Sequence, residues 1–321
     1  MTTLTPPPTM PTAATPAATG GRPAARPRNA PQRKKARQAR ALVLPALIFS
    51  VIMTQIPFLT TIYFSTLQWN QLRPDEIAFN WFKNYAVVFT GPDFLPSLIS
   101  TVVITGSSVV LSLLLGLFFA ILLDRKFVGQ GLARTLMITP FLVMPAAAAL
   151  IWKWSMLDAN VGMVNWALNT VGLPSVAWNT DLPIVTIIML LTWQYTPFMM
   201  LILLAGLQSQ SREVLEAASV DGAGPWRTFQ WMTLPHLRQY IEIATRLGSI
   251  MLLQAFDPIA IMTKGTGGTK TLSYLLYERA FIGLDVGQAA AFGVVTVVVT
   301  IAVATFALRT LFKVFINGGE R

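Results

Sequence analysis

The chain has 321 residues, 54% of them hydrophobic and only 12% charged, with a mean hydropathy of +0.57. So much apolar surface exceeds what a soluble protein of this length can bury, which excludes a water-soluble globule and places the chain in a bilayer. The formal net charge is +10, cysteine is absent and His236 is the lone histidine, so disulfides, thiolate metal sites, His-based metal clusters and histidine proton relays are excluded too.

Residues 1–40 consist mainly of Pro, Ala, Thr and Arg and contain no aromatic residue, a composition that cannot support a packed core and reads as a disordered basic tail. A secretory signal peptide would have a shorter apolar core, without so long a tail before its basic region. The basic run from Arg33 to Arg40 lies directly before the first apolar stretch, where it fixes orientation and meets anionic lipid. A spanning helix needs roughly 20 mostly apolar residues at about 1.5 Å each. Residues 41–72, 95–123, 135–152, 182–211 and 286–308 each supply one. Residues 241–263 supply a sixth, carrying Glu242 and Arg246 near one end and Asp257 near the other. The expected fold is all-α and integral to the membrane with six transmembrane helices: a basic tail 1–40, a first helix and outer loop 41–94, a five-helix core 95–315 and a short tail 316–321.

Lysine and arginine stay on the cytoplasmic side because short basic segments are costly to translocate. With the N-terminal tail inside, six spans leave seventeen Lys and Arg in cytoplasmic segments and six outside, with Arg246 at a membrane boundary. Both termini are therefore expected in the cytoplasm. The outer segments 68–94, 153–181 and 264–285 are too short to hold a separate domain. Trp69, Trp81, Trp152 and Trp154 fall where an interfacial aromatic belt is expected.

One stretch departs from this pattern. From Glu216 to Pro235 the chain is charged, carries glycines and proline, and sits between two apolar runs. Ser209 or Ser211 can cap a helix whose first turn holds Glu213, and Glu213 and Glu216 suit the positive end of its dipole. Asp221 and Gly222 stop that helix, Gly222 by supplying left-handed backbone, and Pro225 fits the first turn of a second one. The result is a protruding elbow that offers small residues and a carboxylate to a partner's cleft. Its plain alternative is a hairpin joining two spans.

These residues resemble the EAA loop of the membrane subunits of binding-protein-dependent ABC importers, in which E-A-A is followed by three residues, G, nine residues, I, one residue and L-P. Glu216, Ala217, Ala218, Gly222, Leu234 and Pro235 fall in that register, with Met232 in place of Ile; Asp221, Ala223 and Phe229 match the wider pattern. Met keeps an apolar contact of similar volume. Over residues 41–315, the runs PFLVMPAAAALIWKW (140–154), AGLQSQSREVLEAA (205–218) and FDPIAIMTKGTGG (256–268) resemble the carbohydrate branch of that family, the type seen in maltose, glycerol phosphate and polyol uptake. The last run departs from the branch's usual T-G-G-G-P ending through Lys264, Thr266 and Thr269.

The resemblance implies the importer permease (MetI-like) fold, with a coupling helix in the loop 208–240, in a bacterial plasma (inner) membrane. It also implies work shared among chains: a second, homologous permease subunit, two ATPase subunits that bind ATP and Mg, and an extracytoplasmic solute-binding protein. Nucleic acid is not among the expected partners. By the same resemblance Glu216, Ala217, Ala218, Asp221, Gly222, Leu234 and Pro235 belong to the surface that docks on the ATPase. No cofactor is expected on this chain: GTGGTKT (265–271) has Thr269 where a phosphate-binding loop requires Gly, and no strand precedes it.

A central Asp costs about 2.5–3.5 kcal/mol in a bilayer, so polar groups there face a cavity or a partner. Gln194, flanked by Trp193 and Tyr195, falls midway along the fourth span, and Gln254 and Asp257 fall in the outer half of the fifth. Amides, a carboxylate and rings suit a neutral hydroxyl-rich solute such as a sugar or polyol, the rings covering its apolar faces and the amides pairing its hydroxyls. The alternative is that the amides bond neighbouring helices while Asp257 caps or pairs locally. A sugar phosphate would call for a strongly basic path, and none is visible. A membrane enzyme would need His or paired acids in the spans, and an ion-coupled carrier would need intramembrane charges or internal repeats; the halves show no evident repeat.

Overall fold

The computed structural model describes residues 30–317 and is almost wholly helical. The chain divides inside its first helix into two compact units, one ending at Ile56 and the other starting at Pro57. That helix, α1, runs Ala30–Ser65. It begins inside the tail expected to be disordered, because Gln32 to Ala41 are all good helix formers with no glycine or proline among them; residues 1–29 of that tail lie outside the described residues. It also ends before residue 72. The Asn84 amide donates to the Ser65 and Leu67 carbonyls at 2.9 and 2.8 Å, which turns the chain into a two-stranded antiparallel ribbon, β1 (Leu67–Gln68) with β2 (Ala78–Phe79).

After α2 (Lys83–Thr90) comes α3 (Phe94–Asp124), whose amphipathic pattern is inside out. Its buried stripe includes Ser97, Thr101, Ile104, Ser108, Ser112, Gly116 and Ala120, spaced by three or four residues and mostly small or hydroxylated. Ile99, Val103, Leu111, Leu114 and Phe118 face outward. Lipid is as apolar as leucine, so membrane helices associate through small residues that let backbones approach.

The next expected span, 135–152, is broken. Helix α4 (Gln130–Leu142) and helix α5 (Pro145–Ile151), continued by a π-helical turn at Trp152–Met156, meet at 98°. Pro145 opens α5 and forces Met144 into extended backbone (φ −57, ψ 135), which ends the helical hydrogen bonding. Short helices α6 (Met163–Thr170) and α7 (Trp178–Asp181) then fold around buried Asn165. Its amide donates to the carbonyls of Asp158 and Val176 at 3.0 and 2.9 Å and accepts from Val176 N and the Trp178 ring at 3.0 and 3.1 Å.

Helix α8 (Pro183–Gln208) is the centre of the bundle. Against it α3 packs so closely that a Cβ on Gly116 would lie 2.8 Å from Met199 Cβ and 2.9 Å from Met200 N. Two short helices follow, α9 (Arg212–Val220) and α10 (Pro225–Thr228), then a π-helical turn Phe229–Thr233 and helix α11 (Leu234–Leu253), where Gly248 receives the methyl of Met199.

The fifth expected span, 241–263, is therefore shifted and interrupted. Its helix stops at Leu253, a short irregular stretch follows, and a π-helical turn covers Ile259–Thr263. Asp257 and Pro258 open the helical turn that follows, Pro258 lacking the N–H that would continue the hydrogen bonding of α11, so that carboxylate sits at a break and not within a continuous span. Helix α12 (Leu272–Tyr277), a π-helical turn Glu278–Ile282 and α13 (Val286–Asn317) complete the chain. Asp93 at the start of α3 is tied to this region through Arg279 at 2.7 Å and Lys270 at 3.7 Å, and Lys270 pairs Glu278 at 2.8 Å.

By length and composition, Val43–Ser65, Phe94–Asp124 and Pro183–Gln208 can each cross a membrane, and the bent pair can count as one further span. Arg238, Glu242 and Arg246 keep α11 below that apolar standard, and the apolar part of α13, Val286–Ala302, is shorter.

Candidate functional site

The elbow forms where the sequence places it. Helix α9 starts after Ser211, although neither this N-cap nor any other side chain supplies the cap hydrogen bond; Ser209 bonds elsewhere. Its C-terminus closes as a Schellman turn: Ala223 N donates to Ala218 O at 2.9 Å and Gly222 N to Ser219 O at 3.1 Å, with Gly222 left-handed at φ +79. Pro225 then takes the first position of α10. Glu216, Ala217, Asp221 and Gly222 are exposed, while Ala218 is buried in the turn. A Cβ on Gly222 would meet nothing within 4 Å. The glycine is therefore required by its backbone and leaves a bare surface in front of it.

Beside that surface Trp226 stacks on Phe229 at 5.9 Å, and Trp231 and Met232 are exposed. Ala223, Arg227, Thr228, Trp231 and Met232 line a depression of about 460 Å³. Leu234 is half-buried and Pro235 occupies the first turn of α11, so the end of the motif is the point where the elbow rejoins a long helix. Both tryptophans lay outside the motif residues singled out from sequence, although their position inside the charged insert was a usable signal.

The polar residues assigned to a solute path are distributed differently from expectation. Gln194 is 3% exposed, and its amide donates at 3.0 Å to the Val143 carbonyl. It ties α8 to the end of α4, the neighbour-bonding alternative, because the broken helix leaves that carbonyl without an intrahelical partner. Its Oε1 is buried without a partner. Trp193 packs against Trp152 at 5.7 Å and lines a largely apolar groove of about 1030 Å³ between α3, α4 and α8. Tyr195 meets Phe141 edge-on at 6.1 Å and lies within electrostatic range of Asp257. Gln254 is exposed and Asp257 half-buried, both at the second break.

The two breaks face each other. Lys153, in the turn after α5, donates at 2.6 Å to the Ile261 carbonyl in the turn after the α11 break. Next to Asp257 stands a series of rings that sequence reading missed: Phe256 to Tyr277 at 5.0 Å, Phe256 to Tyr274 at 6.2 Å and Tyr277 to Phe281 at 5.3 Å. Burial and the Glu278 charge push the Tyr274 phenol up from its ordinary value. The three- and four-residue spacing of Tyr274, Tyr277 and Phe281 was the available signal.

An all-α bundle with apolar outer faces and helices long enough to cross a bilayer defines the class as integral membrane proteins. Its fold matches that of a bacterial ABC transporter that imports the acidic polysaccharide alginate, with a TM-score of 0.73 over 88% of this chain and 98% of that one at 20% identity. Residues 42–316 match the family described as binding-protein-dependent transport system inner membrane component, and the chain belongs to that family. It is 33% identical over 274 residues to a probable ABC transporter permease protein of Sinorhizobium fredii, covering 84% of this chain and 88% of the relative. It is 30% identical over 285 residues to the trehalose transport system permease protein SugA of Mycobacterium tuberculosis, covering 88% and 91%. The protein is thus the permease component of an ABC importer, a part of a transport machine and not an enzyme.

Proposed function

We propose that this permease forms half of the path for a sugar or polyol and takes its driving motion from a separate ATPase subunit through the α9–α10 elbow. The observation that carries the coupling reading is the match between pattern and shape. Glu216, Ala217, Ala218 and Gly222 fall in the family register, and Gly222 is left-handed with open space in front of it. Small exposed residues there admit a close-fitting partner, and Glu216 and Asp221 add charge at its rim. Leu234 and Pro235 transmit the elbow's position to α11. ATP and Mg are bound by two ATPase subunits, and a second, homologous permease subunit completes the wall around the path.

The elbow and both termini are cytoplasmic, as the lysine and arginine bias directs. An extracytoplasmic binding protein delivers the solute to the other face. The carbohydrate assignment is supported by the relative named for trehalose transport and by the groups at the two breaks. Interrupted helices near mid-membrane expose backbone groups that can hold a solute, and Tyr195, Phe256, Gln254 and Asp257 supply rings, an amide and a carboxylate beside them. Gln194 contributes by holding the first break through its bond to the Val143 carbonyl.

Purification in mild detergent tests the reading. An ATPase subunit and a second, different membrane subunit are expected to come out with this chain; an active solitary protein would refute it.

A further inference from the structure

At the base of the elbow, the two long helices that flank it are fastened together by residues outside the coupling pattern. Ser209 directly follows α8, and its hydroxyl donates to the Gly206 carbonyl at 2.8 Å. The same oxygen lies 3.0 Å from His236 Nε2 and 2.8 Å from the Tyr240 hydroxyl, both on α11. His236 Nε2 is also 3.1 Å from the Gly206 carbonyl. A serine hydroxyl has one proton and two lone pairs. With its proton on Gly206, Ser209 accepts from both His236 and Tyr240, and the groups satisfy one another.

Packing reinforces these bonds. A Cβ on Gly206 would lie 2.6 Å from Tyr240 Cγ and 2.8 Å from Leu237 Cδ2, so the Tyr240 ring rests on the backbone of α8. Leu237 is fully buried in one apolar cluster with Leu203 and Leu204 of α8. The elbow beyond this point is held by its own short-range bonds, the Schellman turn and the Thr228 hydroxyl on Gly224 O at 3.2 Å.

We propose that Ser209, His236 and Tyr240, seated on Gly206, are positioning residues that clamp the last turn of α8 to the first turns of α11. A displacement of α9 and α10 then moves both long helices as one body. Without the clamp, α9 swings on its two tethers and the motion dissipates in the loop. This rests on the coupling reading of the elbow, for which Gly222→Trp is the separate test.

This chain has no cysteine, so spin-labelling it at cysteines introduced at exposed Gln208 and Gln239 before assembly with unlabelled partners reports the separation of the two helix ends. In the full complex the native clamp is expected to give one narrow label distance, the same without nucleotide and after trapping with ATP and vanadate. In S209A/H236L the single distance is expected to be lost on trapping. His236→Gln with Ser209 native, whose carboxamide N–H can donate to Ser209 as the imidazole does, is expected to restore it, an outcome that bulk filling alone would not produce. A narrow, unchanged distance in S209A/H236L overturns the proposal. If that variant fails to assemble, Tyr240→Phe, which removes one hydroxyl, is read in the same way: broadening supports the clamp and an unchanged distance overturns it. Should Gly222→Trp leave uptake intact while S209A/H236L loses the narrow distance, the coupling reading fails and the clamp stands.

Discussion

The elbow and the paired breaks are both interruptions of long helices, yet they are stabilised in opposite ways. The elbow is built from neighbours in sequence: Gly222 and Ala223 close the end of α9 within six residues, and Pro225 starts the next helix. The breaks are held across the fold, with Gln194 reaching Val143 and Lys153 reaching Ile261. A locally closed structure can project from the protein and keep its shape while it is pushed. A break held by remote partners changes shape when the helices bearing those partners move. The first design suits a lever and the second a gate.

This contrast is broken most severely at Gly222. Left-handed backbone costs a non-glycine residue about 1–2 kcal/mol, which an intact bundle tolerates, and the new side chain would point into open space. Gly222→Trp is expected to abolish ATP-driven uptake while membrane insertion, checked by fractionation, is unchanged. Normal uptake in this variant would contradict the assigned role.

At the breaks, substitutions are expected to change rate and local stability together. Lys153→Met removes a charge-assisted bond to the Ile261 carbonyl, which is worth about 1.5 kcal/mol, or roughly tenfold in a rate that depends on it. Faster amide exchange around residues 259–263 should accompany the loss. Gln194→Leu leaves the Val143 carbonyl without its donor and is expected to cost about 1 kcal/mol, or roughly fivefold in maximal uptake rate. An unaltered rate with a raised half-saturation concentration would instead make Gln194 a direct solute contact.

The smallest effect is expected in the loop between α5 and α6. Asp158 accepts from the backbone of Asn160 and Val161 at 2.9 and 3.1 Å, and these donors hold its carboxyl below the ordinary value. Its contribution to loop stability is therefore present above the unfolded-state pKa and fades as pH falls through the folded one. Asp158→Asn should abolish the acid-dependent part of loop amide exchange and leave uptake at neutral pH alone.

Legibility followed range. The elbow's register, its glycine stop and its proline start were readable because each signal acts within a turn or two of its own position. The basic bias and the apolar runs gave the class in the same way. Pro145 and Pro258 were equally visible, but the runs 135–152 and 241–263 read as continuous spans because apolar length outweighs one proline in any count. The structure breaks both. Gln194 looked like a path residue since its polarity was visible and its partner, 51 positions away, was not.

By itself the sequence determined a membrane-embedded helical chain with a charged elbow that turns on a glycine. Tertiary structure alone decided that α4 and α5 meet at 98°, that Lys153 and Gln194 serve broken backbone, and that His236 and Ser209, far apart in sequence, clamp two helices together. Helix propensity, turn chemistry and transfer into lipid depend on a residue and its near neighbours. Hydrogen-bond partners between helices depend on how small residues such as Gly116, Gly206 and Gly248 let distant backbones approach, and that is set by the packed bundle as a whole.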